Sequence, residues 1–236
     1  MKIGVLLHGN GVYDGTEIHE AVLTLLALAE VGAETICIAP DVNQYHAVNH
    51  LTGEEMPETR NVLVESARIA RGKIRNLATL TADELDALVM PGGFGTAKNI
   101  TKWAFEGPNG AILEPVRQFI RDLVALKKPI VGLCMSPTTI AKALEGSGIS
   151  ATLTVGSDLE ESPYEISGIA AGINSLGHHA EMKTVREISI DRENKIITAP
   201  CYMMEASILD VRNNIKAAID ALVVLLEEQD LDFTRE

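Results

Sequence analysis

One cysteine, Cys134, stands at the seam of "KKPIVGLCMSPTTIAKALEG", residues 127–146, between a strand-like apolar run and a helix-like one. Residues 129–133 read as a buried strand, and Ser136-Pro137-Thr138 read as a helix start with proline in its first turn. In a parallel sheet this puts Cys134 at the carboxyl end of a central strand, in a sharp strand-to-helix turn that presents the thiol as a nucleophile elbow does. The partial positive charge of the helix N-terminus is expected to lower the thiol pKa and favour thiolate. The competing reading is a small buried core residue, the usual state of a free cysteine. Cys37, inside the apolar run "TICIAP", and Cys201, in "APCYMM" after a strand without an elbow, read as structural.

Two further stretches can serve such a thiol. In "ALVMPGGFGTAKN" a buried strand ends at Gly92 and Gly93, where the missing β-carbons let backbone N–H groups approach a ligand. With the N–H of Met135, these donors could hold an oxyanion, although an ordinary glycine turn fits the same residues. In "HGNGVYDGTEIHEAVLTLLALAEVGAE" the glycines at 9, 11 and 15 are too loosely spaced for a dinucleotide loop. Asp14 and Glu17 fit a capping box, Asp14 at the N-cap and Glu17 three residues on. Glu20 lies one turn further, where a cap does not explain it; a solvated helix glutamate is the plain alternative. Among possible bases His8, at the end of the first strand, is the best placed, followed by His50, His178 and His179. His46 and His50 have helical metal-ligand spacing but no third ligand, so no metal site is expected.

The elements that must position these residues follow from periodicity. "KIGVLL", "TICIAP", "ALVMPGG", "PIVGLC", "ISATLTV", "REISID" and "KIITAP" read as strands, several apolar throughout, as strands buried on both faces should be. Helical patterns occupy 17–31, 60–71, 114–126, 137–144, 162–174 and 207–228. Their alternation predicts an α/β fold, a doubly wound, mainly parallel sheet sandwiched by helices, in a single domain over 1–236. "AFEGPNGAILEP" and "SDLEESP" read as surface loops able to shape a site. The 33 acidic and 20 basic residues give a net charge of −13, which argues against nucleic acid and anionic membranes as partners. No apolar run approaches the roughly 20 residues of a membrane span, and no cleavage signal is evident, so a cytoplasmic location is expected. Three unpaired cysteines fit a reducing compartment.

The "MPGG" strand end, the "GLCMSP" elbow and the early glutamate of the first helix together resemble the PfpI-type superfamily related to class I glutamine amidotransferases. Within it, "HGNGVYDGTEIHEAVLTLLALAEVGAE", "HLTGEEMPETRNVLVESARIARG" and "DRENKIITAPCYM" are similar to the ElbB branch, described as isoprenoid-biosynthesis proteins with glyoxalase-like activity. The resemblance runs over essentially the whole chain. It implies a flavodoxin-like sandwich, a homodimer and no cofactor. It also implies Cys134 as nucleophile, Gly92 and Gly93 at the oxyanion site, and Glu20 as the glutamate that hydrogen-bonds the cysteine, with Glu17 in that place if the loop shifts. The chain departs from many members at Met135, where they carry a histidine, and in "ATLTVGSD", which lacks one, so protease-like chemistry is in doubt.

The expected activity is cofactor-independent, cysteine-dependent conversion of small dicarbonyls, glyoxal or methylglyoxal, to hydroxy acids through a hemithioacetal. The alternatives are a redox-sensing or partner-binding protein using the same thiol, and a small-amide hydrolase. No arginine cluster suits a prenyl diphosphate.

Overall fold

In the computed structural model, which describes residues 1–233, six of the seven expected runs pair with an unexpected strand at 74–76 into one seven-stranded sheet, whereas "ISATLTV" supplies only a two-residue strand to a separate pair. The first crossover unit is β1 (Lys2–Leu6), α1 (Ile18–Glu30) and β2 (Glu34–Ala39). A hairpin of β3 (Ala47–Val48) and β4 (Glu55–Met56) precedes α2 (Val62–Ile69) and β5 (Ile74–Asn76). Then come β6 (Ala87–Met90), a π-helical turn (Thr96–Ile100), α3 (Trp103–Glu106) and α4 (Glu114–Ala125). β7 (Ile130–Leu133) feeds α5 (Ser136–Leu144), followed by β8 (Thr152–Leu153), α6 (Ile166–Ser175) and β9 (His179–Ala180). The described chain ends with β10 (Ser189–Asp191), β11 (Ile196–Ala199) and α7 (Ile208–Phe233).

The strand order is β5-β2-β1-β6-β7-β11-β10, parallel throughout except for β10, which runs antiparallel to β11. Register sets Val5 beside Val89 and Val89 beside Val131, all fully buried. Each such side chain removed from water contributes about 1.5–3 kcal/mol, so the middle of the sheet is the rigid part of the fold. Helices flank it: α1 packs along α7, and α4 along α5. None of the described helices is long and apolar enough to cross a membrane.

After β1 the chain first builds outward through β2 and β5, then crosses to β6 on the other side of β1. The order therefore reverses between β1 and β6, the point at which open parallel sheets leave a crevice at their carboxyl ends. Cys134 follows β7, next to that crevice.

Candidate active site

Four strand ends supply the site: the loops after β1 and β6, the elbow after β7 and the turn after β11. Cys134 still donates its N–H to Ala199 O at 2.9 Å, so the sheet continues through it while its φ of 56° swings the chain into α5. Holding a non-glycine residue in the left-handed region costs roughly 1–2 kcal/mol, and such strain collects at functional positions.

Glu17, not Asp14, caps α1: its Oε2 accepts the N–H of Glu20 at 2.7 Å, and the helix starts at Ile18. The expected capping box is displaced because the preceding segment is stitched to its neighbours. Glu17 donates its N–H to Gly92 O at 2.9 Å, and Asp14 turns away so that its Oδ2 accepts from Val48 N at 2.7 Å. With Glu17 at the cap, Glu20 comes in the first turn and is wholly buried. Its Oε2 accepts from Gly92 N at 2.8 Å and its Oε1 from Tyr202 N at 3.2 Å. One carboxyl thus spans from the end of β6 to the turn after β11, and Cys134, on the strand between them, lies under it.

Gly92 makes the meeting possible. A β-carbon there would stand 2.4 Å from Cys134 Cβ, 2.8 Å from its Sγ and 2.7 Å from Glu20 Oε2. Thiol and carboxyl hydrogen-bond each other in the space of the absent side chain, and the N–H groups of Gly93 and Met135 are aimed at the sulfur. Gly93 has a φ of 101°, and a β-carbon on it would lie 2.4 Å from Glu17 N, so only glycine fits.

Burial first, then the nearby charge of Glu17, raises Glu20 to about 8. Burial, then the Glu20 carboxylate, pushes the Cys134 thiol well above its ordinary value, opposed by the two N–H groups. This reverses the expectation of a lowered thiol pKa: a helix terminus is worth about 0.3–1 kcal/mol, less than the desolvation of an enclosed thiol beside a carboxylate. The pair titrates as a unit, with the sulfur protonated and Glu20 near its own titration point around neutral pH.

That shift has a consequence for stability. Between about 4.5 and 8 the folded protein holds a proton on Glu20 that the unfolded chain has released, so this group's contribution is present at low pH and is lost as pH rises toward 8. Urea midpoints are expected to fall from pH 5 to pH 8 in the native protein and to fall clearly less in Glu20→Ala. Parallel pH profiles for the two would mean that Glu20 is already ionised in the fold.

Val12, Glu17, Phe94, Tyr164, Tyr202 and Met203 line a small, part-open chamber of about 20 Å³ over Cys134 and Met135. That is space for about one water, which limits an unopened site to a very small guest. Glu17 therefore lines the chamber, its pKa raised by burial, while Glu20 sits behind the sulfur.

None of the histidines considered above reaches this chamber. His8 is fully buried, held near Pro91 O by its Nε2 at 3.0 Å, and burial lowers it to about 4, so it braces the strand end as a neutral ring. His50 stacks on Tyr13, His46 lies 3.6 Å from Glu55, and His178 spans Ala141 O and Ala151 N. His179 is exposed on β9. No group of three or more metal-ligating side chains occurs among the described residues. His19, which sequence reasoning passed over, is 2.9 Å from the Tyr202 hydroxyl at the rim of the chamber. Cys201 shares the left-handed conformation of Cys134, with a φ of 48°, and lies fully buried with its N–H on Asn214 Oδ1 at 2.9 Å. Cys37 is buried in β2, and burial pushes its thiol up to about 11.

A parallel sheet flanked by helices, with a cysteine elbow at its carboxyl edge, defines the class of flavodoxin-like proteins that carry an amidotransferase-type nucleophile turn. The comparisons narrow this. The chain is 41% identical over 228 residues to the ES1 protein homolog, mitochondrial, of Rattus norvegicus, covering 95% of this chain and 84% of that one. It is 40% identical to the human glutamine amidotransferase-like class 1 domain-containing protein 3, mitochondrial, over 95% and 83% of the two chains. A crystal structure of an isoprenoid biosynthesis protein with amidotransferase-like domain from Ehrlichia chaffeensis superposes with a TM-score of 0.86 at 33% identity, covering 96% and 99%. Drosophila melanogaster DJ-1beta, at 16% identity and a TM-score of 0.53 over 98% and 97%, shares the fold. No family model matches the chain. The chain belongs to the class I glutamine amidotransferase-like family that contains the ES1 proteins. The names of these mammalian relatives overturn the cytoplasmic location expected from the lack of a membrane-span run and of an evident cleavage signal. Neither absence, nor three unpaired cysteines, distinguishes the cytoplasm from another reducing compartment.

Proposed function

We propose that the protein is a cysteine-dependent, cofactor-independent enzyme of glyoxalase type, converting glyoxal and methylglyoxal to glycolate and lactate. One observation carries the reading: at Gly92 the Cys134 thiol meets a carboxyl whose pKa is about 8, beneath a chamber for a very small guest. A protonated thiol needs a base at the moment of attack, and a carboxyl raised toward the working pH is matched to that task.

The steps balance without an external oxidant or reductant. Sγ bonds to the aldehyde carbon while Glu20 takes the thiol proton and passes it to the aldehyde oxygen, which ends as the hydroxyl of a hemithioacetal held by the N–H groups of Gly93 and Met135 and leaves Glu20 ionised again. Glu20 then removes the hydrogen on C1 as a proton. The electron pair moves into the C1–C2 bond as Glu20 hands that proton to the C2 oxygen, giving an enediol, and transfer of the C1 hydroxyl proton through Glu20 to C2 leaves the thioester of a 2-hydroxy acid. Water cleaves the C–S bond and returns the thiol, so the net change is dicarbonyl plus water to hydroxy acid.

The test is proton NMR of the protein with methylglyoxal in deuterated water. The expected result is many equivalents of lactate per protein, with deuterium at C2 because the migrating hydrogen passes through an exchangeable acid. Loss of one equivalent or less, with Cys134 left adducted, would overturn the enzyme reading. It would point to stoichiometric trapping.

A further inference from the structure

Three polar side chains of the chamber have no role in these steps: Glu17, which caps α1, and the tyrosines Tyr164 and Tyr202. Tyr164 stands just before α6 with its ring edge-on to Phe94, centroids 5.7 Å apart at 71°. The segment that carries it is tied over the site: Ser162 Oγ donates to Met203 O at 2.6 Å, Glu205 N to Glu161 O at 3.0 Å, and Tyr164 N to Ser162 Oγ at 3.0 Å. The two chamber tyrosines differ at their hydroxyls. That of Tyr202 is engaged by His19 at 2.9 Å, whereas that of Tyr164 has no hydrogen-bond partner among the described residues. Burial, then the charges of Cys134, Glu20, Tyr13 and Glu17, raises the Tyr164 phenol to about 12. A phenol in that condition donates a hydrogen bond and does not act as a base.

We propose that Tyr164 is a catalytic residue that recognises the second carbonyl of the substrate, its hydroxyl donating to the oxygen on C2 while C1 is bound to Cys134 Sγ. This rests on the dicarbonyl reading and names its substrate class: adjacent carbonyls, in preference to simple aldehydes of the same size. The chemistry calls for a donor at that place. As the proton leaves C1, negative charge develops on the C2 oxygen, and a fixed donor in a water-poor chamber stabilises that charge. Gly93 and Met135 serve the oxygen on C1, so the oxygen on C2 needs a donor of its own from the chamber lining. Phe94 fixes the ring there, and the ties of Ser162 and Glu161 hold the segment, so the phenol is placed before the substrate arrives.

The experiment measures protection of Cys134 from iodoacetamide by methylglyoxal and by propionaldehyde, both three-carbon aldehydes, in the native protein and in Tyr164→Phe. Reversible hemithioacetal formation is read without any turnover. The preference for methylglyoxal is expected to fall about tenfold in Tyr164→Phe, the effect of one lost hydrogen bond. The intrinsic reactivities of the two aldehydes cancel in that ratio. Alkylation without aldehyde should proceed at the native rate. An unchanged preference would overturn the assignment, and so would a changed basal alkylation rate, which would make Tyr164 a residue that tunes the thiol rather than one that touches substrate. A native protein that turns over no dicarbonyl but loses its preference on Tyr164→Phe would sink the proposed function and with it the catalytic role, and leave Tyr164 as the residue that recognises the second carbonyl.

Discussion

A Cys134→Ser variant is expected to lose dicarbonyl turnover by about 10³-fold or more while its melting temperature moves by only a few degrees. Serine keeps the size of the side chain and can accept the same N–H groups of Gly93 and Met135. Its hydroxyl also donates to Glu20 at least as well as a thiol does. What changes is the nucleophile: a hydroxyl holds its proton far more tightly than sulfur does, and a carboxyl with a pKa of about 8 is too weak a base to remove it during attack. Stability and activity are therefore expected to separate. Cys37→Ala serves as the control, because that thiol sits within β2 and belongs to no part of the site. Turnover by Cys134→Ser within tenfold of the native protein would remove the cysteine from the chemistry.

The parts of this arrangement legible in the sequence are those whose cause is local. β6 and β7 are buried on both faces and unbroken apolar runs, β1 and β11 nearly so apart from Lys2 and Thr198, and the sharp change at Cys134 from such a run to Ser-Pro-Thr marks the elbow. β5 is a three-residue edge strand reading Ile-Arg-Asn, too short and polar to show a period, and the hairpin strands β3 and β4 have two residues each. Glu20 is polar on a helix that otherwise reads as a core element, and composition alone makes it a surface residue. It is buried because its acceptors are met by Gly92 and Tyr202, 72 and 182 residues away. Glycine pairs were visible, but which atoms would occupy the missing β-carbon was not. The direction of the Cys134 shift failed for the same reason: the helix terminus that favours thiolate is contiguous in sequence, whereas the carboxylate that opposes it arrives from α1. Tyr164 and Tyr202 went unread because neither belongs to a chemical motif: Tyr164 falls within the helical pattern expected over 162–174, although the helix starts only at Ile166, Tyr202 lies in a single 3-10 turn, and only the folded chain sets them against Cys134.

The second large effect concerns that empty position. Gly92→Ala is expected to give a folded protein whose Cys134 is nearly unreactive, with turnover reduced at least about 10²-fold, the penalty that displacing reacting groups by an ångström can bring. The added methyl falls on Cys134 Cβ and Sγ and on Glu20 Oε2, at 2.4, 2.8 and 2.7 Å. Relief requires the thiol and carboxyl to part, which breaks their hydrogen bond and strains the one from Gly92 N to Oε2. Overpacking of this kind costs typically 1–3 kcal/mol, enough to lower the melting temperature without unfolding the chain. Gly93→Ala sharpens the comparison. Its β-carbon meets backbone, Glu17 N at 2.4 Å and Gly15 O at 2.5 Å, and its φ of 101° excludes an L side chain, so that variant is expected to fold poorly or not at all. Two adjacent glycines thus have different reasons to be there: Gly93 lets two loops touch, and Gly92 lets two side chains touch. If Gly92→Ala retains native alkylation and turnover, thiol and carboxyl do not act as a pair, and the base for Cys134 must be sought at Glu17 on the chamber wall instead.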